Sequence, residues 1–450
     1  MSATAGSRSA PFVTGSTMRH VVVMTLTGAV GLMALFAVDL IDLFFLSMLN
    51  QTAVTAAIGY AGTVVFTNLS VAIGSGIAAA ALVARNVGAG DMNRAREYAT
   101  SALMLSLLIS GAITLAINLG SGGFLALLGA SGEAKRLAQL FIWTMTPGYI
   151  LISGAICCSF ILRGIGDARR AMYITLSAAL VTACMDPIFI FGLGWGIQGA
   201  AAATVVGYAV SFGIGLHGVA KVHRFLNPMR LGGLKRDFPA LWAIALPAIL
   251  TQLATPFANA YMTHEIAPFG DEAVAGFAIV GRLIPVAFGI IFALAGSVGP
   301  IIGQNYGAKR HDRVRQTLND GLIFSAVYTL ATSAILFIFR HDIAEAFNAA
   351  GRTVDIVVFF CTFVGVSWAF TGAQFVAAAA FNNLGRPKLS TWFNWGKSTL
   401  GTIPFALVGA EIGGPEGILA GTAIGAAIFG IASVATAYRI VRKSAAGAVR

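Results

Sequence analysis

Two aspartates lie inside long apolar stretches of this 450-residue chain, where a charged side chain is costly. Asp39 lies in "AVDLIDLFF" (37–45), and Asp186 lies in "TACMDPIFIFG" (182–192), directly before Pro187. Carboxylates within membrane-spanning segments usually mark ion pathways. Two of them in one poorly hydrated pocket cannot both stay ionised at low cost, because desolvation and mutual repulsion both oppose it. We therefore expect the pair to hold a proton or a small cation.

Two threonines can add oxygen ligands to these acids. Thr182 lies one helical turn before Asp186 and on the same face, and Thr204 lies at a similar depth in the next predicted helix. The predicted cation site is therefore Asp39, Asp186, Thr182 and Thr204. Oxygen ligands such as Asp39, Asp186 and Thr204 suit Na⁺, whereas a proton needs only one carboxylate, so both ions stay open. Asp42, one turn after Asp39, either joins the group or reaches the membrane interface.

The segments that carry these residues are typical of a multi-pass membrane protein. Apolar residues make up 57% of the chain and charged residues 10%, against about 25% charged in soluble domains. A bilayer span needs about 20 mainly apolar residues. The chain divides into twelve such helices and leaves no room for a large soluble domain: 21–48, 53–84, 98–120, 137–162, 171–193, 198–220, 239–264, 273–303, 317–339, 354–382, 388–409 and 417–438.

The loop charges predict the orientation. Most of the 29 Lys and Arg residues fall on the face shared by the two termini, and the opposite loops contain only Lys135, Arg136, Arg340 and Arg352. The positive-inside rule therefore predicts that both termini are cytoplasmic. The net charge of +11 is explained by these loops, so we expect no nucleic-acid partner. The four cysteines lie in apolar segments without metal-site spacing, and we expect no cofactor.

An internal repeat divides the chain into two halves. "NVGAGDMNRARE" (86–97) matches "NYGAKRHDRVRQ" (305–316), and "GIGDARRAM" (164–172) aligns with "NLGRPKLST" (383–391), both at an offset of 219. The sequence therefore predicts two six-helix lobes, 21–220 and 221–438, flanked by cytoplasmic tails 1–20 and 439–450. Because six is even, both lobes enter the membrane in one direction, with a binding site between them.

The repeat also shows that the acids belong to one half only. Asp39 aligns with Ala258, next to Asn259, so the second half has no matching carboxylate. An acid needed only for folding would be expected in both copies. The second half instead has Arg282 and Lys397 near the middle of spans. These bases contact an anionic part of a substrate, a helix carbonyl or the acids of the first half.

Several motifs resemble the multidrug and toxic compound extrusion (MATE) transporters over essentially the whole chain. The resemblance is carried by the stretches "AVDLIDLFFLSML" (37–49), "LVARNVGAGDMNRARE" (82–97), "RGIGDARRAMYITL" (163–176), "DPIFIFGLGWGIQGAAAAT" (186–204) and "GRLIPVAFGIIFALAGSVGPIIGQNYGAK" (281–309). It implies an all-α integral membrane protein with twelve transmembrane helices in two pseudo-symmetric six-helix lobes. It also implies export of organic compounds in exchange for H⁺ or Na⁺, with Asp39, Thr182, Asp186 and Thr204 at the family's cation site.

The chain departs from the family pattern at three positions. Thr182 stands where the family usually has Asn, which leaves the choice between H⁺ and Na⁺ open. Thr27 replaces a proline common in helix 1, so bending there would rely on Gly28 and Gly31. The acid that some branches carry on helix 7 is absent, with Gln252 the nearest candidate, and this resembles the DinF-like branch.

The expected function is therefore a secondary exporter, not an enzyme, that acts as a monomer in a prokaryotic plasma membrane. Its expected partners are membrane lipids and a small organic substrate, most simply a cationic or amphiphilic drug or metabolite. The alternative is a flippase for a lipid or lipid-linked saccharide in the same superfamily. An intramembrane enzyme is disfavoured because no HExxH, DDxxD or Ser/His arrangement occurs within the predicted spans.

Overall fold

A computed structural model describes residues 10–48, 52–127 and 129–447, and this part of the chain is helical without strands. Long apolar runs force this architecture, because a helix satisfies its own backbone polar groups within lipid. The first lobe contains α1 (Thr17–Ser47), α2 (Thr52–Gly88), α3 (Met92–Leu127), α4 (Gly132–Ile165), α5 (Ala168–Pro187) and α6 (Gly196–Leu216). The second lobe contains α7 (Leu231–Ile266), α8 (Asp271–Gly307), α9 (His311–Ile338), a short α10 (Arg340–Ala346), α11 (Arg352–Phe359), α12 (Trp368–Asn383), α13 (Pro387–Ser398) and α14 (Ile403–Gly447).

The last apolar segment crosses the bundle twice. Eleven segments of the described chain are long and apolar enough to span a membrane, and the last of them, Pro387–Ala445, has 59 residues. Its helix is interrupted at Gly413 and at Gly414, where φ is +59°. Beyond this point the chain turns back, so that Gly417 packs on Gly409. The predicted count of twelve crossings is confirmed.

The two lobes are related by a pseudo-twofold axis, which is visible where α2 and α8 cross. Gly88 packs on the carbonyl of Gln304, and its repeat partner Gly307 packs on the carbonyl of Arg85. Arg85 donates from Nη2 to the carbonyl of Asn383, while Gln304 donates from Nε2 to the carbonyl of Gly164, both at 2.8 Å. These contacts lie at the end of the bundle where α1 begins and α14 ends, called the basic end below.

The lobes are tightly packed near the basic end and separate beyond the middle of the bundle. In α2, side chains from Asn68 to Ala84 are mostly buried, whereas exposed ones recur between residues 56 and 66. In α8 the buried stretch is 288–305, and it begins at a kink at Phe288. Next to this kink, Gly289 packs against the sulfur of Met33 of α1. From this burial pattern we infer a cleft between the lobes that opens at the opposite end.

The N-terminal segment before α1 packs against both lobes. Phe12 is buried, and its amide donates to Oε1 of Gln304 at 3.1 Å. Arg313 donates to the carbonyls of Phe12, Thr14 and Gly15. Because α1 begins at Thr17 and α14 runs to Gly447, the regions predicted as tails, 1–20 and 439–450, are partly helical or packed. The described helices also extend beyond the predicted spans at many ends.

Candidate functional site

Asp186 is placed by a tight contact between α5 and α6. Its side chain is completely buried, and Pro187 ends the regular helix directly after it. The chain continues as a π-helical turn, Ile188–Gly192, and Gly199 of α6 packs against the backbone of Phe189 in this turn. Such turns occur often at functional sites. The backbone around Asp186 is therefore fixed by glycine and proline rather than by polar partners.

Asp42 of α1 is the acid that meets Asp186. Their carboxyl groups lie within hydrogen-bonding reach of each other. Both oxygens of Asp186 and Oδ1 of Asp42 are buried without another hydrogen-bond partner in the described residues. An ionised carboxylate can only accept a hydrogen bond, so these two groups can bond to each other only when one is protonated. The geometry therefore suits a single proton shared between α1 and α5.

Asp39 lies beside this pair and is more accessible. Its side chain is exposed, whereas Asp42 is half-buried and Asp186 fully buried. Asp39 and Asp42 are electrostatic neighbours of each other, and Tyr208 of α6 is a neighbour of both. Tyr208 was not predicted from the sequence, although it lies one turn from Thr204 on the same helical face. The burial of the three acids thus increases from Asp39 through Asp42 to Asp186.

The two threonines occupy separate places on the facing surfaces of α5 and α6. Thr182 is buried, and its hydroxyl contacts Gly207 of α6, where a larger residue would collide with it. Thr204 is half-buried, and its hydroxyl donates to the carbonyl of Ala200 at 3.0 Å. Its oxygen keeps lone pairs free. Both roles at a cation site stay predictions.

A Na⁺ site would have to rely on oxygens beyond the carboxylates. No group of three His, Cys, Asp or Glu side chains in the described residues is arranged to hold a metal ion. Sodium prefers several oxygen ligands. The additional oxygens available on α5 and α6 are the hydroxyls of Thr182, Thr204 and Tyr208. The shared carboxyl pair fits a proton without rearrangement.

The polar residues predicted in the second lobe do not form a matching cluster. Gln252 is half-buried and Asn259 exposed on α7, and Arg282 is exposed on α8. Lys397 is half-buried near the end of α13. Neither base forms an ion pair within the part of the chain that the structure describes, so neither pairs with the acids of the first lobe there.

Comparison with known proteins supports a transporter. A family model described as MatE matches residues 29–188 and again 247–408, which are separated by about the same offset as the sequence repeat. An FAD transporter from Shewanella oneidensis is 28% identical over 93% of this chain and 93% of its own length. The multidrug export protein MepA of Staphylococcus haemolyticus is 24% identical, covering 84% of this chain and 83% of the relative.

The fold is also similar to solved structures. A crystal structure of a mutant of the Vibrio cholerae MATE transporter VcmN superposes with a TM-score of 0.91 at 24% identity and covers 95% of this chain and 97% of that one. The twelve-crossing, two-lobe architecture is therefore that of the MATE transporters, and the expectation of a transporter rather than an enzyme agrees with these relatives. With the family model matching both halves, the chain belongs to the MatE family of membrane transporters.

Proposed function

We propose that this chain is a secondary exporter in which proton binding between Asp42 and Asp186 drives release of an organic substrate from the cleft. The observation that carries the proposal is the direct approach of these two carboxyl groups, one on α1 and one on α5. A proton that joins the pair holds the two helices together. A pair without the proton repels, because two like charges at short range in a poorly hydrated site are costly.

Asp39 is the entry point for the proton in this mechanism. It is exposed in the opposite half of the bundle, where the cleft is open, and it neighbours Asp42. The movement of α1 relative to α5 then changes the wall of the cleft. Alternating access follows when the lobes close at the open end and separate at the basic end. Na⁺ remains the competing ion, with Asp39, Asp186 and Thr204 as its ligands.

We place the basic end in the cytoplasm of a prokaryotic cell, because loops rich in Lys and Arg stay on that side of the plasma membrane. The open cleft then faces outward, as needed for an exporter that takes up its coupling ion from outside. The substrate is a small organic compound, and a monomer contains both lobes. The relative named as an FAD transporter favours a second candidate, in which the exported compound is a flavin nucleotide rather than a drug.

The experiment is efflux from reconstituted liposomes, with a pH gradient and a Na⁺ gradient imposed separately. Ethidium and FAD serve as the two fluorescent probes. Wild type is compared with Asp186→Asn and Asp42→Asn, which keep side-chain size and remove the charge. We expect one gradient to drive efflux of at least one probe, and both variants to slow it by about tenfold or more. Asp312→Asn is the matched control, because Asp312 is exposed at the basic end and pairs with Arg310.

Each possible efflux result distinguishes between interpretations of the site. Efflux driven only by Na⁺ would replace the proton with sodium as the coupling ion. Normal coupling in Asp186→Asn would show that the carboxyl pair is not the coupling site. Transport of neither probe by wild type under either gradient would favour the alternative, a flippase for a lipid or lipid-linked saccharide.

A further inference from the structure

Arg163 has an unusual position for a basic residue at the end of a membrane helix. It lies two residues before the end of α4, yet its guanidinium reaches between α1 and α8. A Cβ atom at Gly296 of α8 would lie 2.7 Å from Nη1, and one at Gly28 of α1 would lie 3.6 Å from both terminal nitrogens. The two glycines leave room for the guanidinium at the boundary between the lobes.

The side chain points into the bundle rather than toward water. Gly28 is eleven residues from the start of α1, and Gly296 is eleven residues from the end of α8. Both are therefore about 16 Å from the basic end at 1.5 Å per residue. Long basic side chains near helix ends usually extend outward to the membrane surface. Arg163 instead extends toward the floor of the cleft.

The guanidinium has no anionic partner in the part of the chain that the structure describes. It forms neither an ion pair nor a hydrogen bond there, and its nearest aromatic contact is the Phe160 ring at 5.8 Å. Neighbouring arginines differ, since Arg170 pairs with Asp167 and Arg85 bonds to the Asn383 carbonyl. An unpaired charge this deep is costly unless water or a ligand compensates it. Arg163 is partly exposed rather than fully enclosed.

We propose that Arg163 binds the phosphate or carboxylate group of an anionic organic substrate at the floor of the cleft. A guanidinium suits this task because it offers paired donors to planar or tetrahedral oxyanions. Arg282 is exposed on α8, fourteen residues before Gly296 and beyond the kink at Phe288. It is about 21 Å further toward the open end, where it attracts the anion into the cleft.

This inference rests on the proposed function and identifies its substrate class. The site is separate from the acid pair: Asp186 and Asp42 lie on the far side of the middle of the bundle, and no ion pair connects them with Arg163. Substrate anchoring and ion coupling can therefore fail independently. The occupant is a soluble organic anion, and the phosphate of an anionic lipid is the other source of the same chemistry.

The test is equilibrium binding of flavins to the purified full chain in phosphatidylcholine nanodiscs, followed by flavin fluorescence without any ion gradient. FMN and riboflavin share one ring system and differ by a single phosphate, so the ratio of their affinities isolates the anionic group. We expect wild type to bind FMN about tenfold or more tightly than riboflavin, and Arg163→Gln to reduce the ratio to about one. Arg163→Lys keeps part of the preference, because it keeps the charge without the paired donors.

Two further variants test whether a change in the affinity ratio comes from the Arg163 guanidinium rather than from a disturbed fold. Arg169→Gln removes an exposed arginine six residues away and is expected to keep the wild-type ratio. Gly296→Ala keeps Arg163 but displaces its guanidinium through the new methyl group, and we expect it to lower the ratio as well. It also carries the test if Arg163→Gln does not fold.

Three outcomes would overturn the inference. The first is a wild-type ratio near one, and the second is an unchanged ratio in Arg163→Gln. The third is loss of FMN binding when phosphatidylglycerol is added to the nanodiscs, which would assign the site to a lipid headgroup. Asp186→Asn separates this inference from the proposed function, because it is expected to keep the wild-type ratio of FMN to riboflavin affinity while losing gradient-driven transport.

Discussion

At the basic end, corresponding backbone positions in the two halves of the repeat carry side chains of different chemical types. In one junction between the lobes, Asp237 of α7 accepts a hydrogen bond from Ser101 of α3 at 2.7 Å. In the other, Asp320 of α9 accepts one from Thr17 of α1. Because 320 minus 219 is 101, Asp320 is the repeat partner of Ser101. Asp237 follows Thr17 by 220 residues, one more than this offset, so the acid and the hydroxyl have approximately changed places between the two junctions.

The two junctions also differ in how their carboxylate is compensated. Asp237 is fully buried and pairs with Arg94 at 2.8 Å and with Arg236 at 3.0 Å. Asp320 is buried to a similar degree but forms no ion pair within the described residues. Duplication therefore preserved the helix packing, while the charges diverged. The interior shows the same divergence, since the acid pair of the first lobe has no counterpart in the second.

The largest effect is expected from removing the ion-paired acid. Asp237→Ala leaves Arg94 in the junction with Glu97 as its remaining ion-pair partner, and breaking a buried pair of this kind costs about 3 kcal/mol, the lower end of the usual range. We expect the free energy of unfolding to fall by that amount in equilibrium unfolding with SDS in mixed micelles. Labelling of the buried thiols of Cys157 and Cys158 reports the transition. Asp320→Ala should cost less, and an equal loss would show that the ion pairs contribute no additional stability.

The hydroxyls of Thr17 and Ser101 are expected to make smaller and unequal contributions to the free energy of unfolding. Thr17→Val removes the one hydrogen bond seen on the Asp320 carboxylate in the described residues, and hydrogen bonds to charged groups contribute about 1.5 to 3 kcal/mol. Ser101→Ala should cost about 1 kcal/mol or less, because Asp237 keeps its two arginines. The same unfolding measurement compares them. If Ser101→Ala proves the more costly, the hydroxyl rather than the ion pairs dominates that junction.

Most of the fold was predictable from the sequence because the membrane constrains it strongly. Span number, lobe division and repeat offset all follow from apolar runs and matched motifs. The short helix α10 was not predicted because its sequence RHDIAEA (340–346) is not apolar. The π-helical turn Phe360–Val364 between α11 and α12 was not predicted because its apolar residues continue the predicted span 354–382. Helix ends were placed too early or too late where helices extend beyond the apolar run, as α3 does at Met92.

The candidate site was predictable only in part. Apolar surroundings identified Asp39 and Asp186, but the sequence could not show that Asp42 is the acid that contacts Asp186, because both α1 acids lie on one helical face. Arg163 falls between the predicted spans 137–162 and 171–193 and therefore counted among the loop charges. Its inward direction depends on Gly28 and Gly296, which are distant in sequence and meet it only in the folded chain.

The smallest predicted effect concerns the start of α5 and its repeat partner α13. Asp167 caps α5 by accepting from the Arg170 amide at 3.1 Å, and it also contacts His223 at 2.7 Å. Its partner Arg386 caps nothing, and Pro387 begins α13 instead. Asp167→Ala is therefore expected to cost about 0.5 to 2 kcal/mol, whereas Arg386→Ala should change stability by less than about 0.5 kcal/mol.

The pH dependence separates the charge of Asp167 from its capping role. Burial alone would raise the pKa of Asp167, but hydrogen bonds from His223 and Arg170 hold it well below its usual range. A carboxyl with a depressed folded pKa contributes stability above its unfolded pKa of about 4, and this contribution is lost as pH falls further toward the folded pKa. Asparagine can still cap the helix but has no charge. The stability difference between wild type and Asp167→Asn should therefore shrink as pH falls below about 4. A difference that did not change with pH would mean that the Asp167 charge contributes nothing, leaving the cap as the only distinction between α5 and α13.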